Sequence, residues 1–196
     1  SHAELNSLLE HYQNGRYDDA EKLALSITQQ FPEYQFGWKI LGIILGQTGR
    51  ITEALVAIQK AVALTPADAE VHYNLALALQ KLDRLQEAEA SYRQAIALKS
   101  NYAEAHNNLG TTLQELGRFK EAEASYRQAI ALKSDYADAH FNLGNTLQEL
   151  DRFKEAEASY RQAIALKSDY AEAHNNLGNM LQELGKLEEA EASYRQ

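Results

Sequence analysis

The sequence predicts an all-α chain built as a solenoid of antiparallel helix pairs, and three observations carry that expectation. The phrase EAEASYRQAIALKS stands unchanged at 87–100, 121–134 and 155–168, and begins again as EAEASYRQ at 189–196. The recurrence distance is 34 residues, marked by His72, His106, His140 and His174 and by Tyr92, Tyr126, Tyr160 and Tyr194. Ala, Leu, Glu and Gln dominate and prolines number only 2, a composition of strong helix formers. A period of this length in helical sequence marks a stacked array of helical hairpins.

Starting a unit at Ala69 gives windows 69–102, 103–136, 137–170 and a truncated 171–196; stepping back gives 35–68 and a divergent 1–34. The phase holds across all six, since Trp38 falls where the histidines fall and Pro32 and Pro66 align with Ser100. Residues 1–196 are therefore read as one array. Within 103–136, His106, Leu109, Leu113 and Leu116 share one stripe of a first helix at about 100° per residue. Gly117 should end that helix in the left-handed conformation. Asp83 and Asp151, which fill the same slot, tolerate that conformation better than most residues. A second helix follows, with Phe119, Ala122, Tyr126, Ala129 and Ile130 inward and Glu123 paired to Arg127 outward, as Glu89 is to Arg93 and Glu157 to Arg161. Lys133 suits the helix C-terminus. The spacings Asn101/Glu104, Asp135/Asp138 and Asp169/Glu172 predict capping boxes at the first helices.

Trp38, Leu41, Gly42, Leu45, Ala54, Ala61 and Pro66, and in later windows His106, Leu109, Gly110, Leu113, Ala122, Tyr126 and Ala129, carry a family resemblance. At this spacing the chain resembles the tetratricopeptide repeat family over essentially its whole length. The resemblance implies a right-handed superhelix whose first helices line a concave groove. Ser100, Ser134 and Ser168 depart from the family's proline, and Ser7 and Leu8 stand where Leu and Gly are expected, so 1–34 is read as an end cap.

Windows 103–136 and 137–170 differ at only four positions: Glu104/Asp138, Asn107/Phe141, Thr111/Asn145 and Gly117/Asp151. The first three lie on one side of the first helix, opposite its leucines. A displayed recognition surface and drift at exposed positions both produce such a pattern. By resemblance the groove floor carries Tyr73, Asn107, Phe141 and Asn175, with Thr111, Asn145 and Asn179 beside them. Gln80, Gln114, Gln148 and Gln182 lie one turn on.

One asparagine per unit, Asn74, Asn108, Asn142 and Asn176, keeps a single slot although Asn is a poor helix-interior residue. This ladder resembles that of the superhelical repeats in O-linked N-acetylglucosamine transferases, where amides bind the main chain of an extended peptide. The alternative is that each Asn bonds a neighbouring helix. Glu104, Asp138 and Glu172, with Glu115, Glu149 and Glu183, give an acidic border, so the expected partner is a neutral or basic peptide. The Lys/Arg clamp by which related repeats hold a C-terminal carboxylate is missing; only Lys39 occupies a suitable slot.

Composition narrows the rest. A net charge of −9 argues against nucleic-acid binding. The sequence has no cysteine and no run of about 18 apolar residues. No charged-then-apolar signal pattern opens it, and Ser1-His2 reads as a cloning remnant. The expected compartment is the cytoplasm. The four histidines fall in separate units, so no single ion is expected to join them, and each is read as filling the place of Trp38 in its own unit. Neither a serine triad nor a phosphate-binding glycine loop is present, and no cofactor or enzyme activity is expected. The function class is a protein-interaction scaffold that binds an extended peptide in its groove. The alternative is the substrate-targeting arm of a larger glycosyltransferase, sulfotransferase or methyltransferase, which the abrupt stop at Gln196 favours. An engineered consensus array fits the divergent first 68 residues less well. The truncated last unit is expected to promote end-to-end self-association.

Overall fold

The computed structural model describes residues 2–195; Ser1, the first residue of the Ser1-His2 pair read above as a cloning remnant, and Gln196, which closes the last window, lie outside the described residues. Twelve α-helices and no strand occur among the described residues. The chain divides into two compact units at Ser100/Asn101. In the first, α1 is His2–Gln13, α2 Tyr17–Gln30, α3 Gln35–Gln47, α4 Ile51–Leu64, α5 Ala69–Lys81 and α6 Leu85–Leu98. In the second, α7 is Ala103–Glu115, α8 Phe119–Leu132, α9 Ala137–Glu149, α10 Phe153–Leu166, α11 Ala171–Glu183 and α12 Leu187–Tyr194.

Each unit is a run of three hairpins. In the first, α1 packs on α2, α3 on α4 and α5 on α6, while α2 meets α3, α4 meets α5, and α3 also touches α5. The second repeats the scheme with α7 on α8, α9 on α10 and α11 on α12, joined by α8 to α9 and α10 to α11, with α7 touching α9. Helices α2 to α5 in the first unit and α7 to α11 in the second therefore bury one face in their own hairpin and a second against a neighbouring hairpin.

The tight turn inside each hairpin needs a residue with positive φ. Gly117 supplies it at 73° and Asp151 at 58°, so the aspartate adopts the left-handed conformation expected of it. Arg118 N then donates to Leu113 O at 2.8 Å and closes the end of α7.

The hairpin core is a tyrosine laid on a glycine. Tyr126 and Tyr160 are fully buried, and burying a large side chain of this kind stabilises by roughly 1.5–3 kcal/mol. A methyl group on Gly110 would stand 2.6 Å from Tyr126 Cε1, and one on Gly144 the same distance from Tyr160 Cε1. The helices approach that closely because the glycines have no side chain. Ala76 occupies the equivalent slot beside Tyr92, both fully buried, so the ring can shift enough for one methyl.

The aromatic ring near the start of a repeat meets a backbone carbonyl six residues earlier. Trp38 Nε1 donates to Pro32 O at 2.8 Å. Nε2 of His72 lies 2.8 Å from Pro66 O, that of His140 3.2 Å from Ser134 O, and that of His174 3.0 Å from Ser168 O. The partner is a backbone carbonyl, which Ser offers as well as Pro does. The histidines thus do what Trp38 does.

The capping boxes need correction. The N-caps of α7, α9 and α11 are Tyr102, Tyr136 and Tyr170, one residue after Asn101, Asp135 and Asp169, and none makes a side-chain capping bond. Helical dihedrals begin one residue later than the spacing implied. The tyrosines face other demands: Tyr170 lies 4.9 Å from Phe141, and Lys167 Nζ sits 4.4 Å above its ring. Only in the first unit does this slot hold a capping residue; Asp68 accepts from Glu70 N at 2.9 Å and Val71 N at 3.4 Å.

The predicted Glu–Arg pairs form, at 3.0 Å for Glu89–Arg93 and 2.9 Å for both Glu123–Arg127 and Glu157–Arg161. In the second unit these glutamates also reach the next hairpin, Glu123 to Arg152 at 2.6 Å and Glu157 to Lys186 at 3.0 Å. The Lys186 hydrogen bond, opposed by partial burial and aided by Arg161, holds the Glu157 carboxyl below its usual range. A depressed folded-state value means that the unfolded chain binds the proton more readily, so the pair's stabilisation is present above the unfolded value of about 4.3 and disappears below it. Thermal unfolding followed by circular dichroism should therefore show a midpoint falling as pH drops below about 4.3, with Glu157→Gln flattening that limb. For the tyrosine notch, Gly110→Ala should cost about 1 kcal/mol and Gly110→Leu about 3 kcal/mol or more in urea unfolding. Equal costs would show that the close approach is not limiting.

Candidate functional site

The face worth testing for recognition is formed by the first helix of each hairpin. At 100° per residue, positions i, i+1, i+4 and i+7 lie on one side. In α9 that side carries Phe141, Asn142, Asn145 and Gln148; in α11, Asn175, Asn176, Asn179 and Gln182; in α7, Asn107, Asn108, Thr111 and Gln114. The structure does bring these residues together within the second unit, yet many of their polar atoms are committed to one another.

Two sets of bonds account for the amides. Within a hairpin, the buried tyrosine extends its hydroxyl past the glycine notch to the first helix. Tyr126 Oη donates toward Thr111 Oγ1 at 3.1 Å and Gln114 Oε1 at 3.2 Å, and Tyr160 Oη toward Asn145 Oδ1 at 2.8 Å and Gln148 Oε1 at 3.0 Å. Tyr194, whose ring is exposed, also donates toward Asn179 Oδ1 at 2.7 Å and Gln182 Oε1 at 3.3 Å. Burial pushes the Tyr160 phenol up to about 12 and raises that of Tyr126 further, so both remain neutral donors.

Between hairpins, Asn142 Nδ2 donates to Asn107 Oδ1 at 3.3 Å and Asn176 Nδ2 to Asn145 Oδ1 at 2.8 Å. Thr146 Oγ1 lies 3.2 Å from Gln114 Oε1, and Asn107 Nδ2 donates to Asn108 Oδ1 at 3.1 Å. The register of one Asn per unit thus has a structural reason in the second unit: the amide ties a first helix to the one before it. Asn107, expected on an outward side, is only 6% exposed, because α9 packs against α7 there. Phe141 is half-buried, with its ring 6.0 Å from Tyr160 and 4.9 Å from Tyr170. Asn175 and Asn179 are exposed, and Asn142, Asn145, Asn176, Thr111, Gln114 and Gln148 are half-buried.

A primary amide offers two N–H groups and an oxygen with two lone pairs. Asn142 uses one N–H on a neighbouring helix, and Asn176 bonds both Asn145 and the Tyr160 phenol, which leaves bonding capacity toward solvent, chiefly at the amide oxygens. Glu104, Asp138, Glu172, Glu115, Glu149 and Glu183 are all exposed and border this face.

In the first unit the same slots behave differently. Tyr73 is half-buried with its ring 5.9 Å from Tyr92, and Tyr92 Oη donates to Gln80 Oε1 at 3.0 Å. The Asn74 Nδ2 atom is buried and has no hydrogen-bond partner. Lys39, the one basic residue in a clamp-like slot, places Nζ 3.2 Å from Asp68 and 2.5 Å from Glu70. Those two carboxylates neutralise it. Among the described residues no group of three metal-ligating side chains comes together, and no helix is long and apolar enough to cross a membrane.

The constant separation of 12 residues between each Gln and its Tyr could have revealed the phenol–amide bonds; the bonds between hairpins had no comparable local signal. Asn142→Ala and Asn176→Ala should each lower unfolding stability by about 0.5–1.5 kcal/mol. Urea denaturation checks this, and no change would mean that these amides serve only solvent or a ligand.

The comparisons with known proteins agree with this architecture. The tetratricopeptide repeat family model matches residues 67–135, 103–169 and 135–196, and a second model, described as TPR repeat, matches 42–83. No curated protein matches the chain. Among solved structures, PilW, described as a widely conserved type IV pilus biogenesis factor, is 18% identical, with a TM-score of 0.88 over 98% of this chain and 89% of its own. MamA is 24% identical, with a TM-score of 0.76 over 83% of this chain and 95% of its own. YrrB, described as a TPR protein with an unusual peptide-binding site, is 19% identical, with a TM-score of 0.72 over 87% and 88%. With the family models matching most of its length, the chain belongs to the tetratricopeptide repeat family.

Proposed function

We propose that this chain is a protein-interaction scaffold and that its first-helix face binds an extended segment of a partner. The observation that carries the reading is the set of amides at matching register on α9 and α11. Asn142 is oriented by its bond to Asn107 and Asn176 by its bonds to Asn145 and the Tyr160 phenol, and both keep an amide oxygen to accept, while Asn175 and Asn179 stand exposed. An amide held in place by one bond loses less rotamer entropy when it makes the next. Because an amide both donates and accepts, a row of them suits a peptide main chain irrespective of its side chains. The peptide-binding site ascribed to YrrB lends support by kinship of fold.

Charge selects among peptides. Exposed carboxylates border the face, and Lys39 is already neutralised by Asp68 and Glu70. A free C-terminal carboxylate or an acidic tail therefore finds repulsion and no cationic partner. Fluorescence anisotropy with labelled neutral, Lys-rich and Glu-rich peptides should rank the Glu-rich class weakest. The gap should narrow as salt rises, since exposed charges are screened beyond about 8 Å at physiological ionic strength. Tightest binding of the acidic class would refute the reading.

A further inference from the structure

A pocket of about 150 Å³ opens in the first unit, between α3, α4 and α5. Its size is that at which an apolar protein cavity takes a single benzene-sized ring. The hairpins of the second unit show why it exists. There the equivalent volume is filled by Tyr126, Gln114 and Thr146, bonded to one another through Gln114 Oε1 at 3.2 Å from each hydroxyl. At the same three repeat positions the first unit has Ile58, Gly46 and Ala78, all lining the pocket. Three truncations at one place remove a ring end, an amide and a hydroxyl together.

One polar group is left behind. Asn74, whose equivalents Asn142 and Asn176 donate to Asn107 and Asn145, lines the pocket with a buried Nδ2 that has no acceptor. The repeat positions that accept elsewhere are here Lys39, held by two carboxylates, and Ile43, which cannot accept. A buried donor without a partner is costly and rare in native proteins. The remaining walls are Ile43, Ile51 and Leu77, with Gln47 and Lys81 at the exposed rim.

We infer that this pocket receives the side chain of a tyrosine from a bound partner segment, with the phenol oxygen accepting from Asn74 Nδ2. The occupant is argued from the fold itself, which places a tyrosine and its hydroxyl in this space in the hairpins that lack the pocket. Because Ile43, Asn74 and Leu77 lie on the first-helix side, the inference rests on the partner-binding reading above and adds a specificity pocket to it.

The test separates the two. N-acetyl-tyrosinamide and N-acetyl-phenylalaninamide report on the pocket alone, followed by amide chemical-shift changes in the whole chain. The tyrosine probe should shift Ile43, Gly46, Asn74 and Leu77 and bind about fivefold tighter than the phenylalanine probe, the ratio one ordinary hydrogen bond supplies. Asn74→Leu should abolish that preference while retaining ring binding. The double change Gly46→Gln with Ile58→Tyr rebuilds the pair found in the other hairpins; it should raise the thermal midpoint and eliminate binding of both probes. p-Cresol in place of the amide distinguishes a free phenol from a peptide tyrosine: affinity well above that of N-acetyl-tyrosinamide would overturn the peptide source. Equal affinity for the two amides, no localised shifts at millimolar concentration, or binding that survives the double change would overturn the pocket assignment. If extended peptides still bind the rebuilt variant unchanged, the scaffold reading stands without it.

Discussion

The contact on which the hairpins of the second unit depend is the tyrosine of a second helix lying in the glycine notch of its first helix. Close approach is allowed by the absent side chain of Gly110 or Gly144, and the buried ring supplies the apolar contact that holds the helices together. The same side chain does a second job, because its hydroxyl emerges on the far side of the notch among the amides of the first helix. A phenol taken out of water must find a partner there. Packing and polar patterning are thereby coupled: a hairpin that keeps the tyrosine needs an acceptor one turn past the glycine, and Gln80, Gln114, Gln148 and Gln182 supply it.

From this coupling follows the difference between the hairpins. Where Ile58 replaces the tyrosine, the acceptor has no donor to receive, and Gly46 stands in its place. The substitution keeps the notch filled, since Ile58 still packs against Gly42, but it leaves the volume beyond the notch empty. The orphaned Asn74 amide marks the site of the missing polar network. At this place the divergence of the early repeats is chemically consistent, with three neighbouring positions, Gly46, Ile58 and Ala78, differing together.

The side of the chain carrying the invariant phrase is held by a different force. Glutamates on second helices bridge an arginine four residues on and a cation of the next hairpin, as Glu123 does with Arg127 and Arg152. Exposed pairs of this kind are individually weak, of order 0–1 kcal/mol. Their repetition biases how successive hairpins meet without contributing much to the core. Copying the phrase unchanged preserves both ends of the Glu–Arg pairs within a helix and of the Arg127–Glu155 and Arg161–Glu189 bridges, which gives a physical reason for its invariance besides hairpin packing; Arg152 and Lys186 lie just outside it.

The sequence by itself determined the helices, their pairing and their turns, because each depends on residues close in the chain. A 34-residue period, an apolar stripe at helical spacing and a Gly or Asp at the turn are all local signals. It also located the side of the first helices where the amides gather. The tertiary structure alone decided what those amides do. Whether Asn107 is displayed or buried depends on α9 arriving above it, and whether Asn74 has a partner depends on Lys39 and Ile43 of the preceding hairpin. The N-caps moved for a related reason: Tyr136 and Tyr170 take the position next to the helix, so the aspartates before them fall one residue short. A hydrogen bond across hairpins joins residues more than 30 positions apart, and only folding brings its donor and acceptor within reach.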